Sequence, residues 1–283
     1  MNWAARAPSS LDYFAALVAQ DEGFPLLEAT AAVAQDEYPE LDIQSVLDDV
    51  DRMLERLRRR LPADAGHLHR LRVLNQYFFQ DLGFHGNVND YYDPENSYLH
   101  TVLRTRRGIP ITLAIIWLEL AQGIRLRAAG INFPGHFLVK VNLPQGQVIL
   151  DPFTGQSLSR EDLAERLEPY KRRHGLVDDF DVPVGLYLQA AAPRDIVARV
   201  LRNLKEIHHS QEDWLRLIAV LDRLIVLRPD AWAEVRDRGL AWAELGQTQR
   251  ALQDLEAYLP HADDPLEAQA IADRVAALRR AGG

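Results

Sequence analysis

Three stretches of the chain decide the predicted fold: residues 103–113 (LRTRRGIPITL), 130–137 (GINFPGHF) and 149–153 (ILDPF). The first leads into a helix predicted from Pro110 to Ala121, because proline is well tolerated at the first position of a helix. The other two fall in short β-prone runs, at residues 127–133, 136–142 and 147–150. Pro144-Gln145-Gly146 separates the last two runs as a hairpin turn, so a small antiparallel sheet is expected after the central helix.

The residues before this block are predicted to be mostly helical. Asp42 is placed to cap a strongly amphipathic helix, whose apolar side chains recur at spacings of three and four. These apolar positions are Ile43, Val46, Leu47, Val50, Leu54, Leu57 and Leu61. The segment from Gly83 to Asn96 is rich in Gly, Asn and Asp, a composition typical of a long loop.

The chain after Asp195 is predicted to be entirely helical. Segments of about 30 to 36 residues recur there, which is the length of a helix-turn-helix repeat. The stretch from Ala231 to Pro260 carries small residues where two helices would pack closely, and it resembles a tetratricopeptide repeat. We therefore predict an α+β chain with two domains. Residues 1–190 form a mostly helical domain with a small antiparallel sheet, and residues 191–283 form an all-α module.

The composition excludes several classes of protein. The 283 residues contain no cysteine, which rules out disulfides, thiolate zinc sites and a cysteine nucleophile. The formal net charge of −9 argues against broad nucleic-acid binding, and the arginine clusters at residues 56–60 and 104–107 are interpreted as solvated helix ends. No apolar run is long enough to predict a membrane span, and residues 1–10 lack the features of a secretory signal. A cytoplasmic location is therefore expected.

The order of the sequence blocks resembles the bacterial SirB family. The segments that carry this resemblance are Asp90-Tyr91-Tyr92-Asp93-Pro94 and then residues 103–113, 130–137 and 149–153. The resemblance covers nearly the whole chain. It implies a transglutaminase-like N-terminal domain followed by tetratricopeptide repeats.

This resemblance also implies where a catalytic site would lie. Active transglutaminase-like enzymes have a cysteine at the start of the central helix, where the helix N-terminus stabilises the thiolate. A histidine from one strand acts as the base, and an aspartate from the next strand orients it. His136 and Asp151 match these two residues, whereas the cysteine position falls at or near Pro110. Thr112 carries the only hydroxyl in the first turn of that helix and is the candidate substitute nucleophile.

Two interpretations of His136 and Asp151 are open. They form either a surviving catalytic or ligand-binding pair, or a structural hydrogen bond between adjacent strands. The hydroxyl of Thr112 has a comparable alternative, a hydrogen bond to the backbone in the first helical turn. No metal site is expected, because two natural ligands lie at this position and stable sites usually have three or four. No cofactor is predicted.

The sequence favours a non-catalytic regulatory or scaffold protein, a transglutaminase-like pseudoenzyme that binds a protein or peptide partner. Its C-terminal helices would supply the binding surface, with Arg236, Arg238 and Trp242 as candidate contact residues. The alternative is a hydrolase or transferase of the transglutaminase or peptidase-like class that uses His136 and Asp151. A third interpretation is a domain that binds a small molecule in the same cleft.

Overall fold

The computed structural model describes residues 8–175 and 183–281. These residues form two compact units. The central unit contains residues Pro25–Ala31 and Leu41–Val200. The terminal unit contains the described residues up to Phe24, residues Ala32–Glu40 and the described residues from Leu201 onward.

Helices dominate the described chain, and short strands occupy its middle. The α-helices are α1 (Ser10–Leu17), α2 (Leu26–Ala32), α3 (Ile43–Arg58), α4 (His67–Asn75), α5 (Leu99–Thr105), α6 (Pro110–Gly123), α7 (Arg160–Arg173), α8 (Pro193–Ser210), α9 (Trp214–Leu227), α10 (Trp232–Glu244), α11 (Thr248–Tyr258) and α12 (Pro265–Ala281). The strands are β1 (His85–Gly86), β2 (Arg107–Gly108), β3 (Ala128–Ile131), β4 (Leu138–Leu143), β5 (Gly146–Leu150) and β6 (Ser157–Leu158). This arrangement confirms the predicted α+β class. None of the described helices combines the length and the apolar character needed to cross a membrane.

The helix α6 lies at the centre of the core of the central unit. It begins at Pro110, and all of its residues from Pro110 to Trp117 are buried. A helix that is apolar on every face has to be surrounded by other elements. In agreement with this, α6 packs against α3, α4, α5, β3 and β4.

The sheet of the central unit brings two distant residues together. Strands β3, β4, β5 and β6 are antiparallel neighbours in that order. A turn at Pro144-Gln145 joins β4 to β5, and the register of this hairpin places Val139 opposite Leu150. Because the two strands run in opposite directions, the residues just before β4 and just after β5 lie close together. His136 and Asp151 occupy these positions.

The amphipathic pattern of α3 is confirmed by its packing. The carboxylate of Asp42 accepts a hydrogen bond of 3.0 Å from the backbone N–H of Gln44, which caps the start of the helix. The buried side chains of α3 form one face, and this face packs against α6. At the other end of α3, Arg58 donates two hydrogen bonds to the carbonyl of Gly123, which tie the ends of α3 and α6 together.

In the terminal unit, consecutive helices from α9 to α12 pack against one another. At Gly239 the helices α10 and α11 approach so closely that a Cβ atom would lie 2.8 Å from the Leu255 side chain. Gly246, with φ of 69°, lies in the turn after α10, in a conformation that side chains other than glycine rarely adopt. The close helix pair predicted for residues 231–260 therefore has its structural basis in these two glycines.

The division between the units differs in two ways from the predicted boundary after residue 190. It falls between Val200 and Leu201, which is inside α8. In addition, the described residues up to Phe24 and Ala32–Glu40 group with the terminal unit, although the sequence placed them in the N-terminal domain. The physical reason is that α1 packs against α9. A contact between helices so far apart in the chain leaves no trace in the periodicity of either one.

Candidate functional site

His136 and Asp151 lie in direct contact. The Nε2 atom of His136 is 2.9 Å from Oδ1 of Asp151. The histidine side chain keeps 22% of its surface exposed, whereas the carboxylate keeps 2%. A tight turn presents the histidine, with Gly135 at φ of 71° and a hydrogen bond of 3.0 Å from the His136 backbone N–H to the carbonyl of Phe133. The pair is therefore accessible from the histidine side only.

Asp151 is held by three donors. In addition to His136, the backbone N–H of Phe153 donates to Oδ1 at 2.9 Å, and Arg166 of α7 donates to Oδ2 at 3.0 Å. Burial alone would raise the pKa of Asp151, but the hydrogen bond and charge of His136, the Phe153 N–H and the charge of Arg166 together lower it below its ordinary value. The carboxylate is therefore ionised at neutral pH.

This geometry defines what the pair can do chemically. An aspartate bound to one nitrogen of an imidazole fixes the orientation of the ring and stabilises its protonated form. The contact with Asp151 uses Nε2, so Nδ1 is the nitrogen available to a substrate or partner atom. An oriented imidazole of this kind is a base, and covalent catalysis requires a nucleophile beside it.

The start of α6 supplies no such nucleophile. Pro110 is the first residue of the helix, and it is buried. Thr112 is fully buried, and its hydroxyl lies 2.8 Å from the carbonyl oxygen of Asn96 and 3.1 Å from that of Ile109. A hydroxyl that is sealed from solvent and donates to backbone carbonyls cannot attack a substrate. The contacts of Thr112 therefore correspond to the backbone interpretation and do not support its proposed role as a nucleophile.

The strand β1 connects the histidine site to the start of α6. The N–H of Gly86 donates to the carbonyl of Phe153 at 2.9 Å, and the N–H of Asn87 donates to the carbonyl of Gly108 at 3.0 Å. The ring of Phe153 meets that of His136 edge to face, with 6.5 Å between centroids. Gly86 lies so close to this ring that a Cβ atom would be 2.2 Å from it.

We expect Gly86→Ala to lower the free energy of unfolding by about 1–3 kcal/mol, because the added methyl group overpacks the Phe153 ring. Urea denaturation measures this loss. Gly185→Ala is the matched control, since a Cβ atom at Gly185 meets nothing within 4 Å. Equal stability of the two variants would show that Phe153 moves aside without cost.

Three residues around the histidine were missed by the sequence analysis as site residues. Arg166 binds Asp151, and the ring of Tyr91 lies 6.0 Å from that of Phe153. The Nη1 atom of Arg199 lies 3.4 Å from the carbonyl of Phe133, which also accepts the N–H of His136. Burial lowers the pKa of the Arg199 guanidinium, and Tyr91 opposes this shift. Tyr91 belongs to a quoted motif, but no local pattern distinguishes either arginine.

Comparison with known families agrees with this geometry. The sequence model of the transglutaminase-like superfamily matches residues 44–202, which is more than half of the chain. The chain belongs to the transglutaminase-like superfamily. A second model, for the tetratricopeptide repeat, matches residues 204–278.

The relatives are bacterial proteins of the UPF0162 group. A UPF0162 protein of Xylella fastidiosa (strain Temecula1) is 38% identical over 240 residues, which cover 84% of each chain. One from Pseudomonas aeruginosa is 30% identical and covers 89% of this chain and 90% of its own length. One from Vibrio cholerae is 26% identical and covers 91% of this chain and 95% of its own. These likenesses span both the transglutaminase-like part and the repeats.

A solved structure of menin, described as revealing the binding site for the Mixed Lineage Leukemia protein, also aligns with this chain. The alignment covers 87% of this chain and 68% of menin at 9% identity, with a TM-score of 0.39. A likeness at that level carries no argument about the fold or the function of this transglutaminase-like protein.

The two arginines predicted to face a partner, Arg236 and Arg238, form ion pairs with other residues of the repeat region. Arg238 donates to both carboxylate oxygens of Asp254 at 2.7 Å and to Asp222 at 2.7 Å, so it joins α10 to α11 and α9. Arg236 pairs with Asp237 and with Glu267 of α12. Both arginines therefore help to hold the repeats together, and their contact with a partner stays a prediction.

Trp242 is partly exposed at the surface of the repeats. It is half-buried against the core of α11 and α12, and the guanidinium of Arg250 lies 4.5 Å from the centre of its ring. Arg250 itself is exposed. The role of Trp242 as a contact residue stays a prediction.

No group of three or more His, Asp or Glu side chains within residues 8–175 and 183–281 is arranged to hold a metal ion. At the histidine site, the acidic ligand Asp151 already has Arg166 as a cationic partner. The imidazole of His136 therefore contacts a carboxylate that Arg166 also binds.

Proposed function

We propose that this protein is a non-catalytic member of the transglutaminase-like superfamily that binds a protein or peptide partner through its C-terminal helices in the bacterial cytoplasm. This regulatory or scaffold role is proposed from the absence of a cysteine nucleophile and from the tetratricopeptide repeats. The observation that carries the proposal is the start of α6. Pro110 lies at or near the position that the resemblance assigns to the cysteine and has no nucleophilic group, and the Thr112 hydroxyl is bonded to the carbonyl of Asn96. The chain contains no cysteine that a conformational change could bring there.

The histidine pair has a structural use that is compatible with this proposal. Asp151 receives hydrogen bonds from His136 before β4, from Phe153 after β5 and from Arg166 in α7. It therefore connects three segments of the transglutaminase-like domain. Loss of such a buried acceptor leaves its donors unsatisfied, which is costly whether or not the site is catalytic.

We expect the purified protein to show no amide cross-linking, glutamine deamidation or peptidase turnover above that of its His136→Ala variant. The physical reason is the absence of a nucleophile beside the imidazole. Release of ammonia from glutamine peptides and cleavage of fluorogenic peptides measure these activities. Circular dichroism first establishes that the variant is folded.

The second candidate function is a hydrolase or transferase that uses His136 and Asp151. The 2.9 Å contact between these residues favours it, because the imidazole is oriented as it would be in a general base. Turnover in the wild type that disappears in a folded His136→Ala variant would establish this function. The same result would contradict the proposal that the protein is non-catalytic.

The partner-binding part of the proposal rests on the repeats. Helical repeats commonly bind through an extended concave surface that their stacking creates. Arg250 is exposed and lies over the ring of the half-buried Trp242, so the pair offers a cation held by an aromatic ring, which is suited to an acidic peptide.

Pull-down from extract of the source bacterium, followed by mass spectrometry, would identify the partner. We expect the double variant Trp242→Leu, Arg250→Ala to bind it at least about tenfold more weakly, and His136→Ala to bind it normally. Arg274→Ala is the control, since this arginine of α12 is exposed and pairs with Glu244. Loss of binding in His136→Ala alone would move the interaction to the histidine cleft.

A further inference from the structure

The two arginine clusters of the sequence meet in one cavity of the central unit. This cavity lies between α3 and the end of α5 and has a volume of about 500 Å³. Its walls carry four arginines, Arg52 and Arg56 from α3 together with Arg104 and Arg106. In the sequence, Arg56 belongs to one cluster and Arg104 and Arg106 to another, each interpreted as a solvated helix end, and Arg52 belongs to neither. Their convergence therefore comes from the fold alone.

The positive charge of this cavity is largely unneutralised. Among the described residues of the lining, Asp49 is the one acidic residue, and it forms an ion pair with Arg52. Within the described part of the chain, no carboxylate lies within ion-pair distance of Arg56, Arg104 or Arg106. This local concentration of positive charge contrasts with the net charge of −9 for the whole chain. Three cations that face one space repel one another unless an anion separates them.

Arg106 is the least typical of these residues. Its backbone φ is 61°, a left-handed conformation that non-glycine residues adopt at a cost and that occurs often at functional sites. Its guanidinium is half-buried, 4.6 Å from the centre of the Phe84 ring and 3.5 Å from the sulfur of Met53. Burial and the charge of Arg56 both lower the pKa of Arg106, while Asp49 and Tyr77 oppose this shift.

The floor of the cavity differs from its walls. Met53 and Leu103 line it and are almost fully buried, so the apolar surface between the arginines is small. Cavities for small molecules commonly have volumes of about 300–1,000 Å³ and combine an apolar surface with a few charged groups. Guanidinium groups bind phosphate oxygens through paired hydrogen bonds, and several of them suit an anion with more than one negative charge.

We propose that this cavity binds a small molecule that carries two or more linked phosphate groups. The phosphates lie among Arg56, Arg104 and Arg106. This site is separate from the histidine pair, and it does not depend on the partner-binding function proposed above.

Isothermal titration calorimetry on the full chain, at about 150 mM salt to screen long-range attraction, tests the proposal. The probes are ATP, inorganic triphosphate and citrate, which separate a nucleotide, a bare polyphosphate and a polycarboxylate. We expect saturable binding of ATP and triphosphate, and weaker binding of citrate. Absence of saturable binding by both phosphate probes overturns the proposal. Citrate binding as tight as that of triphosphate also overturns the assignment to phosphate.

Variants locate the binding in this cavity. Arg56→Gln and Arg104→Gln remove exposed cations, so folding is preserved, and each should weaken triphosphate binding roughly tenfold. Arg59→Gln is the matched control because Arg59 is an exposed arginine of the same helix end that pairs with Glu55 outside the cavity. It should change affinity by less than about twofold. Equal losses in Arg56→Gln and Arg59→Gln would mean general charge attraction and would overturn the site.

Discussion

Replacing Arg223 by alanine should lower the free energy of unfolding of the terminal unit by about 3–5 kcal/mol. Arg223 lies on α9 with 0% of its side chain exposed. Its Nε and Nη2 atoms donate to the two carboxylate oxygens of Asp36 at 2.6 and 2.7 Å, and its guanidinium lies 5.0 Å from the centre of the Phe14 ring. The variant leaves the carboxylate of Asp36 with the Ser10 hydroxyl but without its cationic partner, and it opens a cavity beside Phe14. Both effects are destabilising.

A neighbouring ion pair provides the control. Arg216, also on α9, donates to both carboxylate oxygens of Glu37 at 2.5 and 2.6 Å, but 51% of its side chain is exposed. Ion pairs exposed to this degree contribute little, so Arg216→Ala should cost less than about 1 kcal/mol. The two variants thus compare two arginine–carboxylate pairs on one helix, one with a fully buried arginine and one with an arginine that is half exposed.

Urea denaturation measures both variants. Tryptophan fluorescence reports on the terminal unit through Trp214, Trp232 and Trp242, and far-ultraviolet circular dichroism follows the loss of helix. A cost for Arg223→Ala as small as that for Arg216→Ala would show that the contact between Arg223 and Asp36 does not hold α9 to the N-terminal residues of this unit.

The features that the sequence predicted correctly depend on short, local sequence patterns. The start of α6 follows from Pro110 and an apolar run, and the hairpin between β4 and β5 follows from its turn residues. The resemblance to a known family, and not a local pattern, pointed to His136 and Asp151. The antiparallel register explains why these two residues lie side by side.

The features that the sequence did not predict depend on contacts between distant segments. Arg166 and Arg199 reach the histidine site from α7 and α8, and Asp36 meets Arg223 across most of the chain. The periodicity of a helix identifies its buried face but not the element that covers it. Arg238 illustrates the same limit, since its polar character suggested the surface while its actual partners are Asp222 and Asp254.

The second large effect is expected for Asp151→Asn, which should lower the free energy of unfolding of the transglutaminase-like domain by about 2–3 kcal/mol near neutral pH. The amide keeps the volume of the side chain, so no cavity forms. It removes the negative charge, however, and its NH₂ group faces donors in place of an acceptor. Both His136 and Arg166 then lose their carboxylate partner.

Asp81→Asn is the control for this change, because Asp81 also pairs with an arginine, Arg60, but is exposed. Asp81→Asn should lower the free energy of unfolding clearly less than Asp151→Asn, since solvent screens exposed ion pairs. Urea denaturation compares the two variants under the same conditions. Equal losses would indicate that the buried network around Asp151 contributes no more than a surface pair.

The pH dependence of the Asp151→Asn effect has a defined sign. The pKa of Asp151 in the folded protein lies below its ordinary value of 3.8, so ionisation of this group stabilises the fold above that value. This contribution is lost as the pH falls through the lower, folded pKa. The difference in stability between the wild type and the variant should therefore persist from about pH 7 to about pH 4 and narrow only below that.

Because His136 and Arg166 face the carboxylate, the series of measurements is repeated in a His136→Gln background, in which residue 136 has no ionisable side chain. A difference that disappears already between about pH 6 and pH 5 in both backgrounds would mean that the folded pKa of Asp151 is raised, and that burial outweighs its hydrogen bonds.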